Sequence, residues 1–164
     1  MAWALLLAAG QGNRLASATG GLAKQFLDWK GAPLYWESAL VFSRCARVEG
    51  LVFVFPEACI GEEHERVTGL MRDAPLGLPW KVVAGGALRQ DSVRNGLSVL
   101  PDDCEEVLIH DAARPFVSPA LVNRILDGLH GETPGERIAA CIPGVSVVDT
   151  IKVMDEDGKV VATP

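Results

Sequence analysis

Apolar and polar positions fall into blocks along the chain, and the period changes from block to block. Residues 2–9, AWALLLAA, are apolar without interruption. That is the composition of a strand buried on both faces, as in a parallel sheet covered by helices. Residues 33–45 predict an amphipathic helix, with Leu34, Leu40 and Val41 available for its buried face. Residues 51–55 read as a second strand, 62–72 as a charged surface helix, and 80–84 as a third strand that ends in Gly85-Gly86. Residues 91–100 predict a helix, with Asp91 or Ser92 placed to cap its start. A fourth strand is expected over 106–110. Ser118-Pro119 is a good N-cap and N1 pair for a helix running to about residue 129, and 137–142 read as a fifth strand. This alternation predicts an α/β fold with a doubly wound, mostly parallel sheet and right-handed crossovers. The stretch VVDTIKVMDEDGKVVAT breaks the pattern, because its two β-rich segments flank Asp157-Gly158, a hairpin signature whose turn wants positive φ. The expected organisation is one α/β domain over 1–145 followed by a β-arm over 146–164. The arm has no core of its own, and an exposed arm usually finds a partner.

Composition narrows the class. A chain of 164 residues, 49% of them hydrophobic, can bury a sizeable core as one α/β domain. A net charge of −6 argues against a general nucleic-acid surface, which needs a basic face to release counterions. Any anion site must therefore be local. Cys45, Cys59, Cys104 and Cys141 are far apart and form no C-x-x-C, so zinc ligation and a disulfide framework both lack support and a reduced, cytoplasmic protein is expected. The first ten residues lack a preceding cation and are too few to span a bilayer, so no membrane role is expected.

Ligands gather at the carboxyl ends of strands in an open parallel sheet. Four such ends carry unusual sequence: AAGQGNR, AGGALRQDS, HDAARP and PGVSVVDT. The first holds Gly10 and Gly12, whose missing Cβ lets main-chain N–H groups approach phosphate oxygens, and it is flanked by two cations, Arg14 and Lys24. It is neither a Rossmann fingerprint, for want of the third glycine, nor a Walker loop, for want of Gly-Lys-Ser/Thr. Asp111 sits just past the apolar VLIH, where its carboxylate can hold Mg²⁺ or cap a turn. Arg114 precedes Pro115 and is biased toward extended backbone, which suits a guanidinium that receives a second phosphate. Ser92 is a helix cap or a hydrogen-bonding partner for a base or ribose. His110 is read as a structural residue that orients the Asp111 loop, because a phosphate nucleophile is already ionised near neutral pH and needs no base. The four tryptophans and the cysteines are read as packing residues.

Taken in order and spacing, LLLAAGQGNRL…AKQF, GGALRQDSVRNGL, VLIHDAARPFV and AACIPGVSVVDTIK resemble the 2-C-methyl-D-erythritol 4-phosphate cytidylyltransferases of non-mevalonate isoprenoid biosynthesis. The similar ribitol-5-phosphate cytidylyltransferases share these motifs and are the rival. The resemblance implies a Rossmann-like nucleotidyltransferase that joins CTP to a polyol phosphate with Mg²⁺ and releases pyrophosphate. It implies that Arg14 and Lys24 stabilise the transition state. Backbone at Ala8, Ala9, Gly10 and Gly12, with Gly85, Gly86 and Ser92, would hold the nucleotide. Asp111 and Arg114 would lie near the polyol phosphate, with Thr150 supplied by the arm of a second copy in a homodimer.

Two departures stand beside the resemblance. Ala23 occupies a place where the family usually has proline, and residues 15–22 run a few positions long. The family pattern also continues past Pro164 with further sheet, another metal- and nucleotide-side segment, and a lysine and an arginine that position the polyol phosphate. The expectation is therefore a piece of a longer protein, the alternative being a degenerate, catalytically idle nucleotide-binding or interaction module.

Overall fold

The computed structural model describes residues 1–10, 22–131, 138–146 and 148–163. They fall into two units, Met1–Arg124 and Ile125–Pro164. In chain order the elements are β1 (Ala2–Leu7), β2 (Asp28–Trp29), β3 (Ala32–Pro33), α1 (Leu34–Ser43), β4 (Val48–Phe55), α2 (Ile60–Asp73), β5 (Trp80–Ala84), α3 (Arg89–Leu97), β6 (Glu106–Asp111), α4 (Pro119–Leu129), β7 (Val153–Met154) and β8 (Val160–Ala162).

Four strands of the first unit form a sheet in the order β5-β4-β1-β6, and every pairing is parallel. The chain thus builds outward from β1 to β4 and β5, then returns to lay β6 on the other side of β1. The carboxyl ends of β1 and β6 flank this reversal, which is where an open α/β sheet has its crevice.

The two central strands explain the uninterrupted apolar runs. All six residues of β1 are buried, as are seven of the eight in β4. One face, made of Trp3, Leu5 and Leu7 with Val52 and Val54, packs on Val93 of α3 and on Val99 and Leu100 just beyond it. The opposite face carries Phe53 and Phe55, which meet Tyr35 of α1 edge-on, while Trp36 stacks on Phe53. Helices therefore cover both faces, as the doubly wound reading requires. Helix α2 joins the α1 side through a buried hydrogen bond from the Tyr35 hydroxyl to Glu63 (2.8 Å), and Glu63 also pairs with Arg66. Burial first, and then the neighbouring Glu63 carboxylate, push the Tyr35 phenol above its ordinary range.

Local chemistry adjusts the predicted boundaries. Strand β5 and the 119–129 helix fall where the pattern put them, and the Leu121 N–H donates to the Ser118 hydroxyl at 3.2 Å, the expected cap. Helix α3 starts at Arg89, two residues before the expected 91, because the Asp91 carboxylate reaches back to the Leu88 N–H (3.1 Å) and caps the start from inside the first turn. The β2–β3 hairpin, which the helical reading of 33–45 passed over, turns at Lys30 and Gly31, both with positive φ (58° and 86°). Its Trp29 is exposed, and the Lys30 ammonium lies 5.6 Å from the centre of that indole.

In the second unit the expected fifth strand is not found: the described residues 138–142 carry no strand. Their apolar composition fits a strand, but strand structure exists only where a neighbour completes the hydrogen-bond ladder. The terminal hairpin is present. Asp155 N–H donates to Lys159 O and Gly158 N–H to Asp155 O, with Gly158 at φ 79°, the pattern of a loop closed by a left-handed glycine. Both strands are exposed throughout.

Candidate active site

Where β1 ends, the backbone is tied on both sides: the Ala8 N–H donates to Val54 O at 2.8 Å and the Ala112 N–H to Leu7 O at 3.0 Å. Ala8 is buried, Ala9 half-buried and Gly10 exposed. Among the described residues, a Cβ built on Gly10 would meet nothing within 4 Å. Gly12 and Arg14 lie outside the described residues.

The chain returns to β1 through a 3-10 turn, Lys24–Phe26. Its three residues do three different things. Lys24 is exposed; Gln25 is buried, and its side-chain Nε2 donates to Ala8 O (2.7 Å) and Gly10 O (2.6 Å); Phe26 joins the aromatic cluster against Tyr35 and Phe55. A solvent-facing ammonium is thereby mounted on a turn that is anchored by polar and apolar contacts alike.

The loop after β5 is built around glycine for a steric reason. A Cβ on Gly85 would stand 2.4 Å from the Ala9 Cβ and 2.9 Å from the Ser92 hydroxyl, and one on Gly86 would stand 2.3 Å from the Asp91 Cβ. The loop therefore lies against the exit of β1, which brings Gly85, Gly86 and Ser92 together with Ala9. Ser92 is buried; its hydroxyl accepts from the Gly86 N–H (3.1 Å) and donates to Leu88 O (3.3 Å). In this state its hydrogen bonds shape the loop.

At the end of β6, Asp111 is held by two guanidiniums. Arg89 reaches its Oδ1 through Nε (3.2 Å) and Nη2 (3.0 Å), and Arg114 approaches Oδ2 at 3.4 Å. Asp111 and Arg114 are thus together as expected, but Arg89 was missed. In GGALRQDS it follows the strand-end glycine pair by three positions, and nothing local marks it until Asp111 is brought beside it. Gln25 was missed as well, and no hydrophobic period can flag a single buried amide. His110 has its Nε2 3.1 Å from both the Ser38 hydroxyl and Arg114 O, with Phe42 edge-on to the ring. Burial lowers its pKa, against the raising effects of the Arg114 carbonyl and of Asp111. A neutral imidazole tied to the Arg114 backbone orients the Asp111 loop. Thr150 belongs to the second unit, where it is exposed.

Among the described residues no cluster of three or more His, Cys, Asp or Glu side chains is arranged to hold a metal. Asp111 is engaged by two arginines, and without a cluster of further carboxylates among the described residues it suits Mg²⁺ only when the ion takes most of its ligands from phosphate and water. No helix among the described residues is long and apolar enough to cross a membrane.

Comparison with known proteins bears on this geometry. The sequence profile of the IspD family, 2-C-methyl-D-erythritol 4-phosphate cytidylyltransferase, matches residues 2–164. The bifunctional enzyme IspD/IspF of Oleidesulfovibrio alaskensis is 52% identical over 162 residues, 99% of this chain and 39% of that protein. The 2-C-methyl-D-erythritol 4-phosphate cytidylyltransferase of Clostridium botulinum (strain 657 / Type Ba4) is 35% identical over 160 residues, 98% of this chain and 64% of that protein. The chain thus spans less than two thirds of the length of either relative. In fold it is similar to the 4-diphosphocytidyl-2C-methyl-D-erythritol synthase of Anaerococcus prevotii, with a TM-score of 0.71 at 21% identity, covering 100% of this chain and 63% of that one.

Proposed function

Since this chain belongs to the 2-C-methyl-D-erythritol 4-phosphate cytidylyltransferase family, we propose that it acts as a cytidylyltransferase. The reaction is transfer of CMP from CTP to the phosphate of 2-C-methyl-D-erythritol 4-phosphate, in isoprenoid biosynthesis. One observation carries the reading most directly. Three strand-end segments meet beside the sheet reversal: Ala8–Gly10 with Lys24, Gly85–Ser92, and Asp111–Arg114.

In the proposed reaction a phosphate oxygen of the polyol substrate attacks the α-phosphorus of CTP. A new P–O bond forms, the bond to the β-phosphate oxygen breaks, and pyrophosphate leaves with its electron pair. No side chain needs to remove a proton, so the protein's task is to align the groups and to balance developing charge. Lys24, with Arg14, supplies positive charge at the α-phosphate and the leaving group. Main-chain groups at Ala8–Gly10 and at Gly85-Gly86 receive the nucleotide, with Ser92 shaping that loop. Asp111 and Arg114 face the polyol phosphate. Asp111 would hold Mg²⁺, which would supply positive charge to neutralise the phosphates. The exposed arm supports a homodimer in which Thr150 reaches the partner's site, because the readiest cover for Val148, Ile151, Val153 and Val160 is the same arm of a second copy. A cytoplasmic location fits these water-soluble substrates.

The test is Mg²⁺-dependent pyrophosphate release from CTP with methylerythritol phosphate or ribitol phosphate, run on this chain and on any longer natural product of its gene. Release with methylerythritol phosphate, and clear preference for CTP over ATP and GTP, is the expected result. Preference for ribitol phosphate would reassign the substrate, and CTP binding without turnover in every form would leave a nucleotide-binding module.

A further inference from the structure

Gln25 is one of the few polar side chains in the core, 4% exposed, and both hydrogens of its amide group have an acceptor: Ala8 O at 2.7 Å and Gly10 O at 2.6 Å. The reverse orientation of the amide would set its oxygen against two carbonyls, so the chemistry fixes which way it points. The contact spans 17 residues of sequence and joins the exit of β1 to the turn Lys24–Phe26. It has a directional consequence. The Ala8–Ala9 peptide is trans, as no cis bond occurs among the described residues. With the Ala8 carbonyl drawn toward Gln25, the Ala9 N–H must point the opposite way. On the other side of the clamp, Lys24 is exposed while Phe26 is packed on Phe55 and Tyr35.

We propose that Gln25 is a positioning residue: its side-chain amide fixes the Ala9 N–H and the Lys24 ammonium in one frame, so that the main-chain and side-chain positive ends that meet a triphosphate keep a set spacing. The proposal rests on the cytidylyltransferase reading for its ligand, but the clamp itself has consequences that do not need catalysis. No other residue type offers two hydrogens at that reach with no charge. Methionine keeps the volume and loses both donors. Glutamate keeps the shape and places oxygen against oxygen until it is protonated, when it regains one donor.

The experiment compares the parent chain with Gln25→Met and Gln25→Glu by amide hydrogen exchange and by CTP titration calorimetry in Mg²⁺. In Gln25→Met, exchange at the Ala8, Phe26 and Leu27 amides should quicken by about tenfold or more while β4 is unchanged, and CTP should bind about tenfold more weakly. In Gln25→Glu, the CTP affinity relative to the parent should recover as pH falls, a signature that a simple loss of packing cannot give. In whichever natural form is active, the methionine variant should lower kcat more than it raises KM for the polyol phosphate. Unchanged exchange at those three amides overturns the clamp. Quickened exchange with parental CTP affinity overturns the positioning role. Failure of the parent to bind CTP would sink the functional reading instead, and exchange would still judge the clamp. Should Gln25→Met not fold, the pH response of Gln25→Glu decides, and a pH-independent defect counts against the proposal.

Discussion

The two strand ends that flank the sheet reversal are built from different materials. Beyond β1, the chain is fixed by buried, neutral contacts: Gln25 on two carbonyls, Ala8 on Val54, and Gly85 against Ala9. Beyond β6, Ala112 is bonded to Leu7 and His110 to the Arg114 backbone, but the side chains presented outward are an exposed ionic trio, with Arg89, Arg114 and Asp111 63%, 79% and 37% exposed. Neutral buried bonds are indifferent to salt and costly to break, whereas exposed ion pairs exchange partners readily at little cost. One half therefore suits a ligand that must be read accurately, and the other a ligand whose phosphate takes over charges that the protein otherwise pairs internally.

The sharpest test of the rigid half is Lys24→Ala. Turnover in the active natural form should fall about a hundredfold or more, with a smaller change in CTP affinity, and Arg14→Ala should match it. Steady-state kinetics with varied CTP separates the two effects, and a loss confined to CTP binding would make these residues ground-state binders. Next in size is Gly85→Ala. The added methyl must displace Ala9 or Ser92, at about 1–3 kcal/mol of stability. Urea unfolding should show that loss, together with weaker CTP binding.

Arg89→Ala should do the opposite. Unfolding should move by less than about 1 kcal/mol, because the pair is exposed. Polyol phosphate affinity should fall and become less sensitive to salt, and Arg89→Lys should rescue it poorly, since an ammonium cannot reproduce the two-pronged contact. A destabilisation as large as that of Gly85→Ala would erase the distinction between the halves.

The smallest effect is set by His110. Its folded pKa lies below the ordinary 6.5, so the unfolded chain takes up the proton first on acidification. Stability from this group is fully present above about pH 6.5 and is lost as pH falls through the lowered value. Thermal melts should show that decline in the parent and a shallower one in His110→Asn.

Much of this was legible because core and turn chemistry leave marks one residue at a time. The apolar runs of β1 and β4 announce strands buried on both faces, and Ser118-Pro119 places a helix start to the residue. Asp111 and Arg114 stood out by following an apolar strand. What stayed hidden depends on partners distant in sequence. A buried amide such as Gln25 looks like any surface glutamine until its acceptors, 15 and 17 residues earlier, are known. Arg89 looks like any helix arginine until β6 brings Asp111 beside it, 22 positions later. Residues 138–142 show the converse: a strand-like composition acquires a strand only when another strand completes its ladder.

The hairpin that follows the Lys24 turn gives the molecule an optical gauge of its own. Trp3 and Trp36 are buried in the two faces of the sheet, whereas Trp29 is 44% exposed with the Lys30 ammonium over its ring. Its indole should therefore emit furthest to the red and be the first reached by a collisional quencher. It lies five positions from Lys24, on a two-strand ribbon held at its turn by Lys30 and Gly31. A change in its emission as nucleotide is added would report the settling of that turn in real time, without a label and without turnover.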